Sequence, residues 1–461
     1  MAKTIFDKIW DEHVLPSNNS NIQLLYVDRV ILHERTGGIA LQGVEDRALQ
    51  VRRPESVYAI IDHAIDTFAN RTDFGLVPHS EIAIQVTRSL ANKFKINLYD
   101  INDENQGISH VVVAERGIAI PGSVIVCPDS HTGTLGALGC LGIGIGTSQA
   151  EQALITRTIS VTRPKNIKIE INGTLSKYAT AKDIVLAILQ KYGTSVGHGA
   201  IIEYCGSLIK SIPLEGRMTI CNMSVELGAF SGIISPDQIT TEYFFSTPIG
   251  ATLESSQLHT YIHSLSTDSD AIFENNHAMT LQNLLPRISY GISPDQNISI
   301  DQPLPAESSV DPEVIGYMGL SGVSYLQQLT IQGAFIGSCT NSRFSDLELV
   351  ASFLKGKKIN KNMKALIVPG SSRVKKMAEA KGFDKIFLEA GFEWRESGCS
   401  LCFFAGGESF PKGSRVLSST NRNFKNRQGA QVKTHLASPL IVALGAVIGR
   451  IPSLEDLRLI T

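Results

Sequence analysis

The chain has 461 residues, of which 43% are hydrophobic and 19% charged, with a formal net charge of −2. At roughly 150 residues per domain this is room for about three domains with sizeable cores. The near-neutral balance, with no basic block and no interleaving of aromatic and basic residues, argues against a nucleic-acid-binding surface.

In chain order, residues 5–15 read as a short helix and residues 23–33 as an apolar, β-branched strand. Residues 80–96 have helical periodicity, with Ser80 as N-cap. The strings NLYDIN, SHVVVAE and SVIVCPDSH read as strands, the last ending in a turn. A glycine-rich run covers 133–146, and a helix resumes at 147–158. NIKIEIN alternates as a strand. TAKDIVLAILQKYG is a helix that starts at Thr180 and stops at Gly193. GRMTICNMSVELGAF is another helix ending on glycine. Residues 234–310 are richer in Ser, Thr, Asp and Pro and read as a peripheral excursion and linker. From 330 onward strands and helices alternate again, which argues for parallel α/β sheets. No internal repeat is visible.

The first residues mix acids and bases without the apolar core of a signal peptide. The longest apolar stretch, near residues 439–449, is interrupted by glycine and falls well short of the ~20 residues that span a bilayer. Seven scattered cysteines fit a reducing compartment, so the expected location is cytoplasmic.

Three of these cysteines stand out. Cys339 sits in GSCTNSR, and Cys399 and Cys402 form a Cys-x-x-Cys in SGCSLC. Three thiolates leave one position of a four-ligand site open for substrate. A redox dithiol and inert core thiols are the competing readings. Cys127, Cys140, Cys205 and Cys221 lie in apolar or glycine-rich context and read as buried small hydrophobes.

Acid–base candidates gather at strand ends: Asp62-His63, His110, Asp129 with His131, and Glu203. Ligand sites in open α/β sheets collect there, and a carboxylate beside an imidazole fixes its tautomer and raises its pKa. Taken singly, such a pair is more often a surface or capping pair. Arg422 and Arg427, beside Asn421, present planar forks suited to carboxylates, or form a solvated basic loop. The run GCLGIGIGTS lacks the full dinucleotide-binding spacing and has no acidic residue at the expected distance.

Taken in order, the strings Leu41-Gln42-Gly43, Asp62-His63, His110, Asp129-Ser130-His131, Ile202-Glu203-Tyr204, GSCTNS, GCxxC and NRNFxxR resemble the aconitase and isopropylmalate isomerase family over essentially the whole chain. Within it they are most similar to the large subunits of bacterial 3-isopropylmalate dehydratases, with LLYVDR, QGISHVV, EGRMTICNM and ALIVPGS in support. The resemblance implies an α/β fold of three aconitase-type α/β/α domains, at 1–165, 166–300 and 301–461, around a central site and without the swivelling fourth domain. It implies one [4Fe–4S] cluster on Cys339, Cys399 and Cys402, with an open fourth iron.

By the same resemblance His63, oriented by Asp62, protonates the departing hydroxyl. Asp129 with His110, and Glu203 with His131, form supporting pairs. Gln42, Ser130, Asn421, Arg422 and Arg427 contact substrate. The implied reaction interconverts 2- and 3-isopropylmalate by dehydration and rehydration in leucine biosynthesis. The alternative is a related hydro-lyase acting on another small hydroxydiacid. The family's base is a serine in a Gly-Ser-Ser-Arg segment of the swivelling domain. No such segment is expected here, so a small partner subunit should supply it; no nucleic-acid or membrane partner is implied.

Several positions depart from the isopropylmalate pattern: Pro128, Leu135, Ala64, His198–Ala200, Asn426 and the FFAGGESF segment after Cys402. They leave the choice of hydroxydiacid open. An RNA-binding iron sensor is disfavoured by the charge balance, and a silent scaffold by the retained acid–base residues.

Overall fold

The computed structural model describes residues 2–16, 21–403 and 407–460. Part of the divergent FFAGGESF string, residues 404–406, lies outside them. The chain forms two compact units, one of residues 1–64, 79–173 and 195–281, the other of 65–78, 174–194 and 282–461.

The first unit is built on a five-stranded parallel sheet. Its spatial order is Asn97–Tyr99, Val57–Ile60, Arg29–His33, Val124–Cys127, Leu141–Gly144. These strands are short apolar runs because helices cover both faces of a parallel sheet. Val30, Leu32, Val57, Ala59, Val124 and Val126 form its buried core with Ile5, Phe6, Ile9 and Trp10 of helix Ile5–His13. A four-stranded sheet follows in the order Ser231–Ile233, Ile201–Cys205, Asn166–Leu175, Asn275–Leu284, the first three strands parallel.

The second unit carries another five-stranded parallel sheet. Its order is Glu393–Trp394, Lys364–Ile367, Gly333–Ile336, Arg415–Ser418, Lys433–Leu436. Numbered along the chain, both five-stranded sheets have the order 3-2-1-4-5. In that order the direction of winding reverses between the first and fourth strands, and loops leaving their carboxyl ends diverge to leave a crevice.

Much of the local reading holds. Thr180 closes a capping box with Asp183 at the start of Ala181–Tyr192, and Gly193 ends that helix. Gly228 closes the 3-10 turn Met223–Leu227 that follows helix Leu214–Asn222. Four expectations are corrected. Residues 23–33, expected as one strand, form two, Gln23–Tyr26 and Arg29–His33, which lie in different sheets. SHVVVAE is a helix, Ser109–Glu115, despite three consecutive valines. Its first turn is anchored from outside, because the Asp62 carboxylate accepts the Ser109 N–H at 2.7 Å and hydroxyl at 3.0 Å. Satisfying orphan donors in this way overrides a weak strand propensity.

Helix Ser80–Phe94 takes His79, at φ 64°, as its N-cap residue, and Ser80 is buried inside the first turn. Finally, the 234–310 segment is largely regular. Its polar residues Asp237, Thr247 and Ser255 cap three successive helices, and Asn275–Leu284 is an edge strand of the four-stranded sheet. Polarity there reflects caps and an exposed edge.

The glycine-rich run serves close packing. A Cβ on Gly136 would lie 1.8 Å from the Gly232 carbonyl oxygen, and one on Gly142 would lie 2.2 Å from that of Thr132.

Candidate active site

In the first unit, Arg29–His33, Val57–Ile60 and Val124–Cys127 deliver His33, Asp62-His63 and Asp129 to one sheet edge. Asp129 is the hub. Its Oδ1 accepts from His110 Nε2 at 3.0 Å and from the His131 N–H at 2.7 Å, while Oδ2 lies 3.2 Å from His63 Nε2. The other His63 nitrogen, Nδ1, lies 2.5 Å from Asp62 Oδ1. A ring with a carboxylate oxygen at each nitrogen suits the doubly protonated form, which can give a proton away. Burial opposes the Asp129 charge, but the surrounding histidines outweigh it and hold the carboxyl well below its ordinary range.

Two flanking residues escaped the sequence reading. Glu34 is buried, and its carboxylate accepts backbone N–H groups from Asp62, His63 and Ala64. It thereby fixes the loop that carries the Asp-His pair. His33 stacks on His63 with ring centroids 4.0 Å apart. Burial, then the neighbouring His63, pushes His33 down to about 4, so the His33 ring is neutral at neutral pH. His33 directly precedes Glu34 at a strand end, which was the available signal.

The expected pairing of Glu203 with His131 is overturned. His131 Nε2 lies 3.0 Å from Glu226 Oε1, and Ser130 Oγ lies 3.3 Å from His131 Nδ1. Glu203 is bonded instead by the hydroxyls of Thr267 at 2.9 Å and Ser235 at 3.3 Å. Glu226 lies in the 3-10 turn after helix Leu214–Asn222, where EGRMTICNMSVE read only as a helix. Gln42 donates to Asp46 at 2.7 Å and lines a surface groove of about 700 Å³ with Glu34, Thr147 and Glu151.

In the second unit, Cys339 follows strand Gly333–Ile336 and Asn421 follows Arg415–Ser418, one on each side of the switch in strand order. All three thiols are buried, and none of the seven cysteines is in a disulfide. Ser338 Oγ lies 3.0 Å from Cys402 Sγ and 3.9 Å from Cys339 Sγ. Asn421 Nδ2 lies 3.5 Å from Cys339 Sγ. Arg427 Nη2 lies 3.8 Å from Cys402 Sγ and 3.3 Å from Asn421 Oδ1, and its Nε is a buried donor without a partner among the described residues.

Positive φ at Ser338 (87°) and Ser400 (47°) marks backbone strain of about 1–3 kcal/mol each beside the cysteines. Buried Lys182 holds the Ser419 and Thr420 carbonyls that lead into Asn421. Glu408 ties Thr67 to Ser400 inside the Cys-x-x-Cys. Arg422 is half-buried in the same loop as Asn421. Three buried thiols, with hydroxyl, amide and guanidinium donors beside Cys339 and Cys402, fit an anionic iron–sulfur cluster, whose sulfurs accept such bonds. Asn426, one of the divergent positions, has φ 64°, a conformation asparagine tolerates after glycine.

A Gly-Ser-Ser-Arg string does occur, at Gly370 to Arg373, contrary to the expectation of none. Here it starts helix Ser372–Ala380. Ser371 is the N-cap and accepts the Val374 N–H at 3.0 Å, and Ser372 Oγ lies 3.1 Å from Ser397 Oγ.

Residues 7–449 match the aconitase family (aconitate hydratase). Among solved structures, the holo-form of aconitase X from Thermococcus kodakaraensis is similar at 12% identity, over 94% of this chain and 89% of that one, with a TM-score of 0.48. With the family match running over nearly its full length, the chain belongs to the aconitase family.

Proposed function

We propose that this aconitase-family lyase is the cluster-bearing large subunit of a 3-isopropylmalate dehydratase, interconverting 2- and 3-isopropylmalate by loss and return of water. The observation that carries the reading is the set of donors around Cys339 and Cys402 from Ser338, Asn421 and Arg427. Members of the family carry a [4Fe–4S] cluster, which Cys339, Cys399 and Cys402 would hold. When bound, it supplies a Lewis acid that polarises the substrate hydroxyl.

The remaining roles belong to side chains. His63, held by Asp62 and Asp129, gives a proton to the leaving hydroxyl. Asp129 keeps His63 and His110 oriented, and the buried Glu226 charge keeps His131 protonated. Arg427 and Arg422 neutralise substrate carboxylates through forked donors, with Asn421, Ser130 and Gln42 as further polar contacts. By family resemblance, the serine base comes from a small swivel-domain partner. The use of Ser371 as a helix cap supports an outside origin for that group. A three-domain division at 165 and 300, a heterodimeric assembly, a cytoplasmic location and a role in leucine biosynthesis belong to the same reading. Among the described residues no helix is long and apolar enough to cross a membrane.

The test is anaerobic turnover by the reconstituted chain, co-expressed with a candidate small subunit, on isopropylmalate and citraconate side by side. Preference for isopropylmalate supports the proposal. Preference for citraconate, or for another hydroxydiacid, moves the chain to a different substrate within the same chemistry.

A further inference from the structure

Glu203 lies in the strand Ile201–Cys205 of the four-stranded sheet and lines a cavity of about 390 Å³. It is 3% exposed, and its carboxylate receives the Thr267 and Ser235 hydroxyls; among the described residues no cation lies within ion-pair distance of it, and the charge of Lys168, which lines the same cavity, offsets its burial only in small part. A buried carboxylate without a counter-charge is costly. Burial accordingly pushes Glu203 up to about 7.

The opposite deficit lies in the wall of the same cavity. Arg217 is 1% exposed. Its Nη2 donates to Asp237 at 2.7 Å and to the Lys210 carbonyl at 3.1 Å, and Nε donates to the Ile212 carbonyl. Nη1 is buried with no acceptor among the described residues. A buried guanidinium N–H left unpaired has lost its water without gaining an acceptor, which favours any ligand that supplies one. The Lys210 side chain also lines the cavity, and Ile209, Ile234 and Phe273 supply apolar wall.

We propose that this cavity binds a small α-amino acid with an apolar side chain. Its ammonium would supply the cation Glu203 lacks, and its carboxylate the acceptor that Arg217 Nη1 lacks, with Lys210 adding positive potential. The side chain would take the apolar wall. A dicarboxylate or phosphate would set further negative charge against Glu203, and a simple amine would leave Arg217 unpaired. The site is separate from the Asp129 network and does not depend on which hydroxydiacid the enzyme uses.

Calorimetric titration of the intact protein with valine, N-acetylvaline and valinamide tests the proposal. N-acetylation removes the ammonium and amidation removes the carboxylate. Saturable binding of valine, with both derivatives weaker by roughly tenfold or more, is the expected result. In the variant E203Q, valine is expected to lose its advantage over N-acetylvaline. Should that variant fail to fold, the three-ligand comparison on the natural chain decides alone. Equal affinity for valine and either derivative, or no binding of any of the three because water alone fills the cavity, overturns the proposal.

Discussion

His131 Nε2 lies 3.0 Å from Glu226 Oε1, although 95 residues separate the two in the chain. Burial opposes a charge on His131, but Glu226 and then Asp129 outweigh it and pull the imidazole up to about 9. Because the folded value is raised, this pairing stabilises fully below the ordinary histidine value near 6.5, and the contribution is lost as pH rises through 9. Replacing Glu226→Gln should lower the His131 titration midpoint, followed through its ring-proton resonances. Glu203→Gln should leave it in place. A midpoint that moves with Glu203 and not with Glu226 would contradict the pairing.

Asp129 joins three histidines, so its removal should cost more than one hydrogen bond. The variant D129N keeps the shape but cannot accept equally from His63, His110 and His131. Turnover of the preferred hydroxydiacid should fall by about 100-fold or more, the range for losing acid–base function. The comparison needs kcat and a thermal melt on the same preparation. An unfolded variant is uninformative about chemistry, whereas a folded one with near-normal kcat removes Asp129 from the mechanism.

Glu34 accepts three consecutive backbone N–H groups in a buried loop. Glu34→Ala would orphan them at roughly 1–3 kcal/mol for each donor that water cannot reach. We expect a loss of about 3 kcal/mol in urea unfolding and a smaller loss for Glu34→Gln, which keeps one acceptor oxygen. Equal stability of the alanine variant and the natural chain would mean that the loop relaxes to find other acceptors.

Two buried carboxyls should tilt the stability profile with pH. Burial pushes Asp183 up to about 6 and Glu203 up to about 7, against hydrogen bonds that partly offset it. With folded values above unfolded ones, the native state binds more protons between about pH 4 and 7, so stability falls as pH rises through that window. Denaturant midpoints measured across it should decline, and the decline should flatten in the double variant D183N/E203Q. A flat profile in the natural chain would show these carboxyls to be better solvated than their burial implies.

For the thiols, Cys339→Ser or Cys402→Ser should reduce iron and sulfide retained after anaerobic reconstitution to background. Cys205→Ser, in another strand, should retain both. Oxidation followed by a chelator should abolish turnover of the natural protein, because a cluster held by three cysteines would leave one iron without a protein ligand. Unchanged metal content in Cys339→Ser would break the assignment of that ligand.

The sequence carries its local structure openly wherever a side chain completes a backbone bond close by. The Thr180–Asp183 capping box and the stop at Gly193 need only neighbours in the chain. Thiols and arginines were likewise visible as residue types in their motifs, and the acid–base residues as candidates at strand ends. Partnership was not visible. Glu203 and Glu226 are both acids downstream of His131, and only packing of the turn 223–227 against 132–138 decides which of them meets it. The valines of 111–113 spelled a strand until Asp62, from a different strand end, capped them as a helix. Gly-Ser-Ser-Arg at 370–373 shows the reverse, a string whose role comes from its position at a helix start.

By itself the sequence determined many of the strands and helices, the buried apolar runs and the chemical inventory, because these follow from periodicity, capping and residue type over a few neighbours. Tertiary structure alone decided that two stretches without sequence repetition wind into the same 3-2-1-4-5 sheet, and that each sets its polar residues at the switch in strand order. The physical reason is that strand order and side-chain pairing are set by contacts between distant segments, and those energies appear only once the chain has packed.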